Sequence, residues 1–296
     1  MQAMVTLTPE ESKRLIAKAV AAMSAVRRAA AEGMIGFSLC TSCAYVIGEL
    51  FDTIQVEAHR YCCGFLYAGG SCSVPDSKRE KLLLVEQGRH HWLNFPQENF
   101  TRFIQRMDSK DVIIKSGNLM DPDGNVGVLV ASPDGGEAGA YLPHIAAKGI
   151  QLIVPMTLNK TVPFPLNRIL PVMGITKFRR DRVHGMSCGM LPLPGQVITE
   201  VDAFRDLFGV EAIPAAMGGV GSGDGTVTLV VIGEDAAVET AWQAVSAIKG
   251  EKKLTNLFSS CPRCEEGRRQ SGAGQCATRL HRKKPIDRAE NSELQG

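Results

Sequence analysis

Hydrophobic positions along the chain change period several times, and each change marks an element. Thr8-Pro9-Glu10-Glu11 combines a helix N-cap, a first-turn proline and two acids at the positive end of a helix. The helical spacing that follows predicts one helix to about Ala31, stopped by Gly33. Met34 to Leu39 is a short apolar run after that glycine and reads as a strand. Thr41 to Phe51 returns to helical spacing. Helix, strand, loop and helix in this order begin a parallel α/β sheet.

Further along, Lys81 to Glu86 reads as a strand and Pro96 to Met107 as a helix. Asp111-Val-Ile-Ile-Lys115 is a buried strand, followed by the turn-rich run Ser116 to Gly124. Val126 to Val130 is another strand and Ser132 to Gly136 another turn, then a helix to about Lys148 and a strand from Ile150 to Val154. Polar, glycine-containing loops therefore follow two consecutive strands. Open α/β sheets bind ligands at that edge, beyond the carboxyl ends of the strands.

Pro155 to Pro194 is rich in proline and basic residues and reads as a connecting region with short helices. After it the pattern is helix (Thr199–Phe208), strand (Glu211–Met217), glycine hairpin (Gly218–Gly225), strand (Thr226–Ile232) and helix (Asp235–Ile248). The expected fold class is thus α/β, a mostly parallel sheet with helices on both faces, plus a C-terminal ferredoxin-like α+β subdomain. The expected division is an α/β domain over 1–194, the subdomain over 195–251, and a basic, cysteine-containing solvated tail over 252–296.

Composition narrows the function classes. Hydrophobic residues make up 44% and the formal net charge is +2, which suits a packed core and gives no concentrated basic stripe for nucleic acid. No run reaches the roughly 18 to 20 apolar residues that span a bilayer. Nine cysteines, an odd number scattered along the chain, argue against a disulfide framework and for a reducing compartment, so a cytoplasmic setting is expected.

Three groups of residues could carry chemistry. The loop from Gly36 to Tyr45 joins a strand to a helix whose free N–H groups favour an anion, with Thr41 and Ser42 as further donors. Either hydroxyl could instead simply cap the helix. The turns Lys115-Ser-Gly-Asn-Leu-Met-Asp121 and Ser132-Pro-Asp-Gly-Gly-Glu137 supply bases, acids and donors. Asn, Asp and Gly also dominate ordinary turns. Cys40-x-x-Cys43 sits at a helix start, where a thiolate is stabilised, although isolated cysteines also serve as small core residues.

Gly36, Thr41-Ser42, Ala44 and Tyr45 resemble the phosphate-holding strand-loop-helix of ribose-5-phosphate isomerase type A. Gly117-Asn118 with Asp121 is similar to a turn of glucosamine-phosphate deaminases, and Asp134-Gly135 to a second one, with Gly136 standing where that turn has a histidine. The resemblance, to the superfamily that also holds the coenzyme A transferases, spans roughly residues 10 to 160. It implies an isomerase-, deaminase- or transferase-like site for a small anionic metabolite such as a sugar phosphate. Thr41, Ser42, Gly117, Asn118, Asp121, Gly135 and Gly136 would bind the substrate, and Lys115, Asp134 and Glu137 would carry the catalysis. A non-catalytic sensor on the same fold, or a thiol or metal protein using Cys40 and Cys43, are the alternatives. No cofactor is required by this reading. Cys261, Cys264, Cys276 and His281 have the residue types of a structural zinc site. The expected partners are the small anion and further copies of the chain, with neither nucleic acid nor membrane.

Overall fold

The computed structural model describes residues 1–67, 70–74, 78–94 and 98–254. In chain order its elements are β1 (Gln2–Leu7), α1 (Pro9–Ala22), α2 (Ser24–Ala31), β2 (Met34–Phe37), α3 (Thr41–Leu50), β3 (Gly64–Tyr67), β4 (Gly70–Ser73), β5 (Leu82–Glu86), β6 (Arg89–Leu93) and α4 (Glu98–Arg106). There follow β7 (Val112–Ile114), β8 (Leu119–Met120), β9 (Val126–Val130), α5 (Gly136–Lys148), β10 (Gln151–Pro155), α6 (Leu166–Ile169), β11 (Gly189–Leu193), β12 (Gln196–Ile198), α7 (Glu200–Phe208), β13 (Glu211–Gly218), β14 (Thr226–Ile232) and α8 (Asp235–Ala247).

The protein is a mixed α/β structure built on a six-stranded sheet of order β12-β10-β7-β2-β5-β6. The four strands from β12 to β2 are parallel, and β5 and β6 each pair antiparallel with the preceding strand in that order. β2, β5 and β7 are near-continuous apolar runs, buried over almost every residue, as strands covered on both faces must be. The outer strand β6, Arg-His-His-Trp-Leu, is almost wholly exposed, and its polar side chains suit an edge. Tyr61 pins the centre: its hydroxyl donates to the Phe37 carbonyl at 2.8 Å and accepts the Leu83 N–H at 3.0 Å, bridging β2 and β5.

A second sheet, β1-β14-β13, is antiparallel. β14 alternates along Thr-Val-Thr-Leu-Val-Val-Ile, burying Val227, Leu229 and Val231 on one face. The other face carries the Thr6–Thr228 hydroxyl pair at 2.9 Å. This alternation is what a sheet with one packed face requires. α1 packs against α3 and α7 and touches strands of both sheets, and one hydrophobic core runs through Leu152, Val154, Leu229 and Val231. Two strands lie across the boundary expected at residues 194/195: β12 belongs to the large sheet, and β1 completes the small one.

Several expectations needed revision. The first helix is two, divided at an extended Met23 (φ −60°, ψ 130°), and a strand precedes them. The Thr8 cap is present as a full capping box with Glu11. The glycine run 218–225 does join two strands. The tail beyond residue 254, including Cys261, Cys264, Cys276 and His281, lies outside the described residues. No helix of the described residues is long and apolar enough to cross a membrane.

Candidate functional site

Parallel pairing of β2 with β7, in the register Phe37↔Ile114, sends both strands out of the sheet side by side. The ladder continues one residue further: Ser38 N–H donates to the Ile114 carbonyl and Lys115 N–H to the Ile153 carbonyl, each at 3.0 Å. The loops Ser38–Cys40 and Lys115–Gly117 are therefore neighbours at the carboxyl edge. α5 delivers Glu137 to the same place from its first turn. Both Glu137 carboxylate oxygens accept the Leu39 N–H at 3.2 Å, and Lys115 Nζ lies 3.7 Å from the carboxylate. Lys115 and Glu137 are 7% and 6% exposed, so the pair is held out of water.

Neighbouring side chains extend this cluster. Tyr141 follows Glu137 by one helical turn and so shares its face. Its hydroxyl is 3.1 Å from Ser38 Oγ. Ser38, Glu137 and Tyr141 form the polar wall of a small cavity whose apolar side includes Leu84, Phe100 and Ile104. Lys160, in the short turn after β10, donates to the Gly117 carbonyl at 3.0 Å and to Ser116 Oγ at 3.3 Å.

Cys40, rather than Thr41 or Ser42, caps α3: its Sγ accepts the Cys43 N–H at 3.4 Å and lies 3.1 Å from Cys43 Sγ. Thr41 is the first helical residue and is partly exposed, and Ser42 is buried.

The charges of the cluster shift one another. Burial pushes the Glu137 carboxyl above its usual range, against the pull of Lys115 and the Leu39 N–H. For Lys115, burial works against the charge, but Tyr141, Glu137 and Cys40 outweigh it and hold the ammonium protonated. Burial draws the Lys160 amine down to about 8, helped by the positive charge of Lys13.

The cysteines divide sharply. Burial raises Cys62 and Cys63 to about 12. It also opposes ionisation of Cys40, yet the Cys43 thiol, the Lys115 charge and the N–H groups of Ser116 and Cys43 bring Cys40 down to about 6. Burial and the facing Cys40 raise Cys43 well above the ordinary thiol value.

The remaining residues expected to touch a ligand are bonded within their own turns. Asp121 accepts from the N–H groups of Asp123 (3.0 Å), Asn125 (2.8 Å) and Leu166 (2.9 Å), and from the Asn125 amide. Burial opposes its charge, but these donors hold the carboxyl below its usual range. Asn118 Oδ1 accepts the Leu129 N–H at 2.9 Å. A Cβ on Gly117 would stand 2.1 Å from Val126 Cγ1, so the glycine admits β9. Asp134 is exposed and accepts the Ser132 hydroxyl and the Gly136 N–H, which lowers its carboxyl. Gly135 and Gly136 adopt φ of +78° and +58°, a conformation that favours glycine.

Of the residues read from sequence as catalytic, Lys115 and Glu137 come together in the cluster, whereas Asp134 bonds within its exposed turn. Ser38, Ser116, Tyr141 and Lys160 were not anticipated. Tyr141 was discoverable, four residues after Glu137 on a helix. Lys160 lies in the proline-rich stretch and carried no signal. Among the described residues, no group of three or more His, Cys, Asp or Glu side chains is arranged to hold a metal ion. No family model, curated protein or solved structure matches the chain.

Proposed function

We propose that the protein binds a small anionic metabolite, such as a sugar phosphate, at the carboxyl edge of β2 and β7, and that Glu137 moves a proton on it. The observation carrying this reading is the Lys115–Glu137 contact at 3.7 Å, buried, and made between the end of β7 and the first turn of α5. A buried ion pair is weak evidence for stability, because desolvation offsets much of the attraction. It suits chemistry better, since buried groups with perturbed protonation at the carboxyl edge of a sheet are what acid and base steps need. Lys115 would neutralise the ligand's negative group or a developing oxyanion. Glu137, raised by burial, would take and return the proton.

In this reading the fold is of the isomerase, deaminase and coenzyme A transferase kind, a mostly parallel sheet with helices on both faces, followed by a ferredoxin-like unit of α7, β13, β14 and α8. The setting is a reducing cytoplasm.

One observation favours a second reading, a non-catalytic sensor. Both Glu137 oxygens already face the Leu39 N–H, and Lys115 already has its carboxylate, so the site is self-satisfied.

A thermal-shift screen with sugar phosphates, nucleotides and acyl-CoA esters separates these outcomes. A ligand at 100 times its dissociation constant adds about 2.7 kcal/mol. The expected result is stabilisation of the wild type by a phosphorylated ligand and loss of that response in Lys115→Met. Glu137→Gln should keep binding and lose exchange of ligand protons with deuterated water. An unchanged response in Lys115→Met would overturn the site assignment. Binding without exchange in the wild type would select the sensor.

A further inference from the structure

We infer that Cys40 and Cys43 form a thiol–disulfide exchange pair, with Cys40 attacking a small disulfide that carries carboxylates and Cys43 resolving the product. The two sulfur atoms are 3.1 Å apart across the first turn of α3. Their surroundings differ in the way the two roles demand. Cys40 is partly exposed, and Cys43 is fully buried. The Cys43 S–H donates to the Ile114 carbonyl at 3.2 Å, inside the protein, with the two sulfurs in contact. That leaves Cys40 as the sulfur available to an incoming molecule.

The charge around Cys40 supports both its ionisation and the choice of partner. It acts at the N-terminus of a ten-residue helix, and the ammonium groups of Lys13, Lys115 and Lys160 all feel its charge. With Cys40 drawn down to about 6, its thiolate is favoured at neutral pH. Lys160, bonded to the uncharged Ser116 hydroxyl and Gly117 carbonyl, would attract a carboxylate on the disulfide.

The exchange balances as follows. Cys40 thiolate attacks one sulfur of the disulfide, a protein–ligand S–S bond forms, and the first ligand thiolate leaves. Cys43 then passes its proton to the departed ligand thiolate and attacks Cys40 Sγ. The Cys40–Cys43 bond forms and the second ligand thiolate leaves. The protein loses two hydrogens and the disulfide becomes two thiols. None of these steps requires the metabolite reading, because they are followed by protein mass and not by metabolite binding.

The test uses the reduced full-length chain and oxidised glutathione, read by intact mass and peptide mapping. The wild type is expected to lose two hydrogens and yield a Cys40–Cys43 linked peptide. Cys43→Ser, and Cys43→Ala as a second variant, should instead hold glutathione on Cys40. Cys40→Ser should leave Cys43 unmodified. Alkylation of Cys40 by iodoacetamide should rise through pH 6, with Cys62 and Cys63 unreactive below pH 9. A wild type that stops at a lasting glutathione adduct, or a Cys40→Ser protein that reacts as fast as the wild type, would overturn the pair. So would alkylation of Cys40 no faster than of Cys62.

Discussion

The edge formed by β2 and β7 and the turns flanking β9 hold similar polar residues, yet those residues reach out to very different distances in sequence. At the edge, Leu39 bonds Glu137 across 98 residues, Ser38 meets Tyr141 across 103, and Lys160 bonds Ser116 across 44. In the turns, Asp134 bonds Ser132 and Gly136, two positions away, and most of the Asp121 donors lie within four. Local closure is what Asx-type turns do on any surface. A buried carboxylate held by a partner 98 residues away, as Glu137 is, needs a different account. Desolvation makes it costly, and only specific partners keep it ionised.

The comparison predicts different failures on the two sides. Lys115→Met should give the largest loss, about 3 to 5 kcal/mol, because Glu137 is left buried without its cation. The loss should depend on pH in one direction. Glu137 in the variant has a folded value raised further above the unfolded one, so its protonated form is favoured by folding. The variant is therefore least impaired at acid pH and loses stability as pH rises through the raised carboxyl value. Urea denaturation at pH 5 and 7.5 measures this. Adding Glu137→Leu should restore much of the stability at the higher pH, and a double variant no better than the single one would break the comparison.

Asp121→Ala should come next, at about 2 to 3 kcal/mol, since several backbone donors, among them Leu166 N–H, lose a buried acceptor. Its distinguishing mark is selectivity. Stability falls, while Cys40 alkylation and ligand response stay as in the wild type. Loss of ligand response in correctly folded Asp121→Ala would move Asp121 from the turn into the site.

How far the sequence exposed this division can be followed residue by residue. The apolar runs of β2, β5, β7 and β10 and the capping signal at Thr8 were legible, because burial on both faces and helix capping each leave a local signature. β1, β6 and β11 were not. β1 pairs with β14 from the far end of the chain, and β6 is a polar edge whose residues read equally well as a loop. In the cluster, Lys115 and Glu137 were legible as candidates since each follows a glycine-rich turn or strand end. Asp134 looked equivalent to Glu137, and three residues of helix geometry separate an exposed turn acid from a buried one. Cys40 was recognisable from its spacing to Cys43. Its low thiol value depends on Lys115, 75 positions later, which no local pattern reports.

Lys160 lies between the two regions, and its prediction concerns pH more than size. Its folded value of about 8 is below the roughly 10.4 of an exposed lysine. Folding thus favours the neutral amine, and its stability contribution is present above the unfolded value and lost as pH falls through about 8. The stability of the wild type relative to Lys160→Met should therefore rise between pH 8 and about 10.5. A difference that stays flat across that window would show that Lys160 keeps its charge and is more open to water than its contacts suggest.

The smallest effect belongs to Asp134→Ala. The side chain is exposed, and its two bonds close a turn that Gly135 and Gly136 already shape through their left-handed backbone. Water replaces the lost acceptor at little expense, so the melting temperature should move least of the four variants, and the ligand-induced shift should persist. This outcome is the sharpest check on the contrast, because Asp134 and Glu137 are three residues apart and chemically alike. If Asp134→Ala abolished the ligand response and left stability unchanged, the exposed turn would be the working surface. The buried Lys115–Glu137 pair would then be only its foundation.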